Sequence, residues 1–343
     1  MRRALFIGGT GTISTSVVRR LLESGGWEVW LLNRGSRSGL FDGPVHEIRA
    51  DIHDPGAVSA ALAGKDFDCV CEFIGFTEAD VRRDYELFRG RTGQYIFTSS
   101  ASAYHKPAAS YIVSEGTSLA NPYWEYSRGK IACEDFLMRK YREEQFPVTI
   151  VRPSHTYCER SIPTALHGAK GSWQVISRMM NGKPVIVHGD GSSLWTLTFS
   201  TDFAIGYCGL MGCEAAIGEA FQITGDETLT WDQIYRTIGG ALGVTPHLLH
   251  VSSDFLAAAG RSAGYDFRGA LLGDKAVSVC FDNRKLKRLV PQMRTNVPFH
   301  EGVRIALAYI QEHPECRRED PDFDAWCDKV VRAQEAARHL FDA

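Results

Sequence analysis

Apolar and amphipathic stretches alternate through the first half of the chain. Ala4–Ile7 is an apolar run of strand length. Ile13–Ser24 sets Val17, Val18, Leu21 and Leu22 on one side at helical spacing, and Gly25 and Gly26 end it. Glu28–Leu32 reads as the next strand, and Ile48 leads into Asp51 at the end of a third. Pro55–Leu62 reads as a helix, Phe67–Ile74 as a buried strand, Ala79–Phe88 as a helix and Gln94–Thr98 as a strand. Tyr126–Glu144 is a long helix and Val148–Val151 a further strand. Strands alternating with helices at this spacing predict right-handed crossovers and an α/β fold with a doubly wound parallel sheet.

The second half is less regular. Pro184–Val187, Thr196–Phe199 and Ala220–Ile223 are strand-like, and Phe203–Met211 is helical. Thr230–Leu242 starts on a capping threonine and stops before Gly243. Pro246–Val251, Ser278–Phe281 and Val303–Glu312 follow, with no internal repeat and no low-complexity linker. The expectation is a sheet domain from residues 1–153 plus about 199–224, with Ala220–Ile223 returning to its sheet. A smaller interleaved C-terminal lobe takes the remainder.

With 343 residues the chain is long enough for one large core or two interleaved domains, and 44% hydrophobic residues is ordinary. A formal net charge of −3 gives no reason to expect a nucleic-acid or membrane partner. Arg2 and Arg3 precede an apolar run too short for a signal peptide or a membrane span, so a cytoplasmic location is expected. No two of the nine cysteines have the two-residue gap of a zinc or redox motif; Cys69 and Cys71 are closest. Reduced, mostly buried thiols and no metal are expected.

Gly8-Gly9-Thr10-Gly11-Thr12-Ile13 joins the first strand to the first helix. Glycines there let the backbone turn tightly and approach a pyrophosphate at the helix N-terminus. Ser14 stands where a third glycine would pack the helix on the sheet. At the end of the second strand, where a carboxylate binds the ribose of NAD, this chain has Asn33 and Arg34, with Arg37 nearby. Arg34 either pairs with a 2′-phosphate, which favours NADP over NAD, or stands solvated after the strand. Asp51, followed by Ile52, either meets the adenine or caps a turn before Asp54.

Ser100 follows the apolar strand that ends at Thr98, and Tyr126 opens a helix. Tyr126 and Lys130 are four residues apart and share a helix face, so both can point at one ligand. A phenol with an ordinary pKa near ~10 is a poor base. A neighbouring ammonium and the nicotinamide cation favour its phenolate, and Ser100 can orient the reacting oxygen.

With these motifs the chain resembles the extended short-chain dehydrogenases/reductases of the NAD-dependent epimerase/dehydratase family. It is most similar to the atypical members with a Gly-Gly-Thr-Gly start and an Asn-Arg-Gly second-strand end. Val151-Arg-Pro-Ser-His-Thr-Tyr157, His188-Gly-Asp-Gly191, Thr201-Asp-Phe-Ala204 and Phe281-Asp-Asn283 extend the likeness over nearly the whole chain. The resemblance implies a Rossmann domain with substrate in the cleft against the small lobe, and a homodimer paired through the tyrosine helix. Ser100, Tyr126 and Lys130 fall on the family's catalytic triad. Phe73, Ile74, Thr98, Pro153 and His155 join Gly8, Thr10, Gly11, Thr12, Ile13, Asn33, Arg34, Asp51 and Ile52 around the cofactor. Ser102, Tyr104, His155, Trp173 and Trp195 face the substrate.

Some positions depart from the family pattern. Glu72-Phe-Ile-Gly75 replaces His-Leu-Ala-Ala. His155 replaces a substrate-contacting asparagine, and Trp195 an arginine that grips a substrate diphosphate. Trp195 either stacks on a sugar ring or packs in the lobe while Arg178 or another residue grips phosphate. Ala101 and Ser102 stand where dehydratases carry two carboxylates, so no 4,6-dehydration is expected. The implied function is epimerisation of a sugar or nucleotide sugar by transient oxidation. The alternatives are an NADP-dependent reductase or dehydrogenase of a small carbonyl or polyol compound, and a non-catalytic RNA-binding relative.

Overall fold

The computed structural model describes residues 1–35 and 39–341, so Arg37 lies outside the described residues. Seven parallel strands form the central sheet: β1 (Arg2–Ile7), β2 (Trp27–Asn33), β3 (Val45–Arg49), β4 (Cys69–Glu72), β5 (Tyr95–Thr98), and, after the short strand β6 (Ile112–Val113), β7 (Val148–Pro153) and the strand Ala220–Ile223. Their spatial order is β3, β2, β1, β4, β5, β7 and Ala220–Ile223. The order reverses between β1 and β4, and α/β sheets bind ligands at such a switch point, beyond the strands' C-terminal ends. Helices α1 (Ser14–Ser24), α2 (Pro55–Ala61), α3 (Glu78–Phe88) and α4 (Glu125–Glu144) connect the strands.

Each sheet face has its own core. Val17, Val18 and Leu21 of α1 pack with Phe203, Tyr207 and Phe221 on one side. Val58, Val81, Phe88, Phe136 and Leu137 cover the other. A third cluster around Trp195, Trp231, Tyr235 and Phe323 fills the second half of the chain. Burying each such side chain contributes roughly 1.5–3 kcal/mol.

The parallel sheet forms as expected, with Ala220–Ile223 returning to it, while several boundaries move for identifiable reasons. The fourth strand stops at Glu72 rather than Ile74 because the Glu72 carboxylate accepts from the Ile74 amide and turns the chain out of the sheet. Helix α3 starts at Glu78, fixed by a reciprocal cap between Thr77 and Asp80. The helices Trp173–Met180, Ser253–Arg261 and Pro321–His339 and the π-helix Arg268–Lys275 were not anticipated. Among the described residues no helix is long and apolar enough to cross a membrane, and no group of three metal-ligating side chains is assembled.

Candidate functional site

The glycine loop is held by a serine. Ser14 Oγ accepts from the Gly11 amide at 2.9 Å and donates to the Gly8 carbonyl at 2.7 Å. Thr15 Oγ1 and Arg160 Nη2 both donate to the Gly11 carbonyl, at 2.7 and 3.1 Å. Gly8 has a φ of +80°, and a Cβ there would stand 2.5 Å from Ile74. Beside this loop lies a cavity of 460 Å³ lined by Gly8, Thr10, Gly11, Asn33, Arg34, Asp51, Ile52 and Ile74, together with the unanticipated Leu32, Ala50, His53, Phe76 and Asp80.

Asn33 spends its Oδ1 on the Gly35 amide at 2.7 Å, and its buried Nδ2 has no partner among the described residues. Arg34 is exposed beside it. Asp51 both lines the cavity and caps a turn, accepting from the His53 amide at 3.0 Å. A glycine cradle with a spare buried donor and a guanidinium at the second-strand end fits a dinucleotide.

A second cavity, of 260 Å³, lies past the ends of β5 and β7. Ser100, Ser102, Tyr126, Pro153, His155 and Trp195 line it, as do Lys106, Trp124, His167, Asp274 and Lys275. Ser127 Oγ donates to Ser102 Oγ at 2.8 Å, and the Ser102 and Ser100 hydroxyls stand 2.8 Å apart. Lys130 Nζ donates to the carbonyls of Gly75 and Thr98, both at 2.7 Å. This anchorage needs α4 close to the Phe76 segment. Gly129 allows it, since a Cβ there would stand 2.6 Å from the Phe76 carbonyl oxygen.

Burial pushes the Tyr126 phenol above its ordinary range, and a hydrogen bond with Ser100 pulls it back. Burial pushes the Lys130 ammonium down to about 8, against the pull of Cys133, Glu72 and Glu134.

Asn121, buried and absent from the expectations, ties the site together. Its Nδ2 donates to the carbonyls of Ser102 and Gly273 at 2.8 and 2.7 Å, and its Oδ1 accepts from the amides of Tyr123 and Trp124 at the start of α4. Beneath the site, Arg152 forms a buried ion pair with Glu134, which also accepts from Ser99.

Several expected residues sit elsewhere. Trp173 lines a different cavity with Arg160, Lys170 and Arg318, because it opens a helix facing Arg317. Thr12 lines that same cavity, and Ile13 packs against the core. Tyr104 is buried, with its hydroxyl donating to Gln222. Phe73 stacks on Tyr207 with ring centroids 5.0 Å apart. Thr98 supplies its carbonyl to Lys130, and Pro153 and His155 line the second cavity rather than the first. Trp195 is 3% exposed and belongs to the lobe's core, and it also lines the cavity. Arg178 is committed to Asp324 and Asp328 and does not line the cavity.

Two histidines near the cavity are held neutral. Burial brings His155 down to about 3, with Lys275 and His167 adding to the effect. Burial brings His188 down to about 4, while its bond to the Lys275 carbonyl works the other way. An unfolded histidine titrates near ~6.5, so below that pH the unfolded chain binds more protons than the folded one. The stability these neutral rings contribute is full above about pH 6.5 and is lost as pH falls toward about 4. Thermal midpoints are expected to drop between pH 7 and pH 5, and His188→Gln should make that slope shallower. An unchanged slope in the variant would assign the acid sensitivity elsewhere.

The fold and its two cavities define a Rossmann protein shaped for a dinucleotide, with a hydroxyl-lined pocket alongside. The chain belongs to the NAD dependent epimerase/dehydratase family, whose sequence profile matches residues 4–223. Among curated proteins it is 25% identical, over 284 residues, to the chloroplast stem-loop binding protein of 41 kDa b of Arabidopsis thaliana; the match covers 78% of this chain and 70% of that protein. Among solved structures it is similar to the dTDP-glucose 4,6-dehydratase of Bacillus anthracis in complex with NAD, at a TM-score of 0.71 and 18% identity, covering 92% of this chain and 98% of that one. An epimerase from Methanothermobacter thermautotrophicus matches at a TM-score of 0.74 and 16% identity over 92% and 94% of the two chains. The UDP-glucose 4-epimerase of Thermus thermophilus in complex with NAD matches at 0.69 and 19% over 91% and 99%.

Proposed function

We propose that the chain is an NAD(P)-dependent epimerase of a sugar-type substrate, working by transient oxidation at a carbinol carbon. The observation that carries this is the shared cavity of Ser100 and Tyr126, with Lys130 one helical turn on and anchored by two carbonyls. When bound, the nicotinamide ring supplies hydride acceptance and return. Ser100 Oγ holds the substrate hydroxyl. Tyr126 Oη takes its proton as the carbon–hydrogen bond breaks, and returns it when the carbonyl is reduced on its other face. The Lys130 ammonium favours the phenolate. Trp124 and Trp195 exclude water and offer faces to the C–H groups of a sugar. Ala101 and Ser102 supply no carboxylate where dehydratases carry two, which favours epimerisation over elimination of water.

Gly8, Thr10 and Gly11 would hold the pyrophosphate, Asn33 and Arg34 the ribose, and Asp51 and Ile52 the adenine. Two donors and no carboxylate at the ribose favour NADP. Calorimetry with both dinucleotides is expected to show tighter NADP binding, with the gap narrowed by Arg34→Ala. Equal affinities in the parent protein would refute the preference, while leaving epimerisation in place.

The division of labour proposed is the sheet domain for the dinucleotide and the second-half lobe for the substrate, in a cytoplasmic homodimer. The modest size of the second cavity favours one other enzymatic reading: a reductase or dehydrogenase of a small polyol. Single-turnover assays separate the two, because an epimerase leaves no net reduced cofactor. The Arabidopsis relative's name, a stem-loop binding protein, raises nucleic-acid binding as a third reading. Saturable hairpin binding in a mobility-shift assay, with no sugar turned over, would favour it.

A further inference from the structure

The cavity beside Ser100 and Tyr126 carries charge that proton transfer does not use. Lys106 and Lys275 both line it, and Lys106 is only 2% exposed. Neither ammonium has an ion pair or a hydrogen-bond acceptor among the described residues. Neither Nζ is among the fully buried unpartnered atoms, so each presents its donors to the cavity, where water or a ligand takes its hydrogen bonds. The backbone of Lys275 is fixed from three directions. Its carbonyl accepts from His188 Nε2 at 3.0 Å, Ser193 Oγ at 3.1 Å and Trp231 Nε1 at 3.1 Å. Lys275 also closes a π-helix, a rare geometry found frequently at functional sites. The Lys106 amide donates to the Ala120 carbonyl at 2.8 Å, which fixes that residue's backbone as well. Trp195 Nε1 adds a buried donor with no partner among the described residues.

The charge count narrows the ligand. Among the described residues Asp274 is the one carboxylate lining the cavity. Two lysines against one carboxylate give the lining a formal excess of one positive charge, with the His155 and His167 rings neutral, and an anion entering the cavity opposes the burial that pushes both lysines down. A carboxylate balances this, whereas a phosphate ester brings about −1.5 to −2 charges at pH 7. The cavity's 260 Å³ also falls below the about 300–1,000 Å³ of pockets for drug-sized ligands, which suits a single sugar unit.

We propose that this cavity takes a small hydroxylated carboxylic acid, with its carboxylate on Lys106 and Lys275 and its reacting hydroxyl at Ser100 and Tyr126. The placement of the reacting hydroxyl rests on the epimerase reading; the recognition of the carboxylate does not. Asp274 then accepts from a further hydroxyl of the same molecule.

The test is calorimetry on the full-length protein saturated with its preferred dinucleotide. The probes are D-glucuronate, D-galacturonate and D-gluconate, each against its neutral counterpart glucose, galactose or sorbitol. At least one acid is expected to bind tenfold or more tightly than its counterpart. Lys275→Met should erase that preference while dinucleotide affinity is unchanged. Lys106 is buried and its variant can fail to fold, so Lys275→Gln serves as the second variant. Four results would overturn the proposal: no binding of any acid, equal binding of acid and neutral sugar, a preference surviving both Lys275 variants, or glucose 6-phosphate binding more tightly than all three acids. An acid preference without turnover supports the carboxylate site and counts against the epimerase reading. Tyr126-dependent turnover of neutral sugars with no acid preference does the reverse.

Discussion

Tyr126→Phe is expected to lower turnover by at least about a hundredfold, the lower end of what a positioned general acid–base group contributes. That factor corresponds to about 2.7 kcal/mol of barrier. The phenol hydroxyl has Ser100 as its hydrogen-bonding neighbour, and Ser100 keeps the Ser102 hydroxyl at 2.8 Å when it is gone. The fold and the dinucleotide cavity, which Tyr126 does not line, should therefore be untouched. Turnover within a few-fold of the parent enzyme would remove Tyr126 from the chemistry. A large loss accompanied by a fallen thermal midpoint would assign it a structural role instead.

Lys130→Met is expected to cost at least as much activity, and to differ from Tyr126→Phe in what else it changes. The Lys130 ammonium sits 4.8 Å from the ring centroids of both Phe76 and Phe97 and bonds the carbonyls of Gly75 and Thr98. Removing it leaves two buried acceptors unpaired, at about 1–3 kcal/mol each, offset by relief from burying a charge. Gly75 and Phe76 adjoin Ile74 at the dinucleotide cavity, so dinucleotide affinity should fall as well. Measured together, kcat, dinucleotide Kd and thermal midpoint should all move in Lys130→Met, while only kcat moves in Tyr126→Phe. Intact dinucleotide affinity in Lys130→Met would show that the lysine serves the phenol alone.

The sheet, and the approach of Ser100, Tyr126 and Lys130 to one another, are legible in the sequence because both are written locally. Apolar runs such as Ala4–Ile7 and Gln94–Thr98 are bounded by turn residues, and the four-residue spacing of Tyr126 and Lys130 fixes their shared helix face whatever packs around them. The far wall of the pocket is not written that way. Gly273 accepts from Asn121 152 positions away, and Asp274 and Lys275 share the cavity with Ser102, through a π-helix with no simple hydrophobic period. The available signal was the charged pair Asp274-Lys275 inside an otherwise apolar stretch. Trp173 and Trp195 show the converse. Each is an aromatic residue near polar neighbours in sequence, yet only Trp195 reaches the pocket, because its two-residue strand pairs with Leu229–Thr230 beside Trp231. Tyr104 is four residues past Ser100, but the turn of 3-10 helix at Ala101–Ala103 carries it into the core.

Transient oxidation at one carbon is tested most directly by running the reaction in heavy water with a substrate identified by binding, and measuring deuterium at the inverted carbon. Removal and return of the same hydrogen within the closed site predicts a product with no deuterium there, and no conversion in Tyr126→Phe. Deuterium at the inverted carbon would mean that solvent supplies that hydrogen, and would contradict transient oxidation as the mechanism.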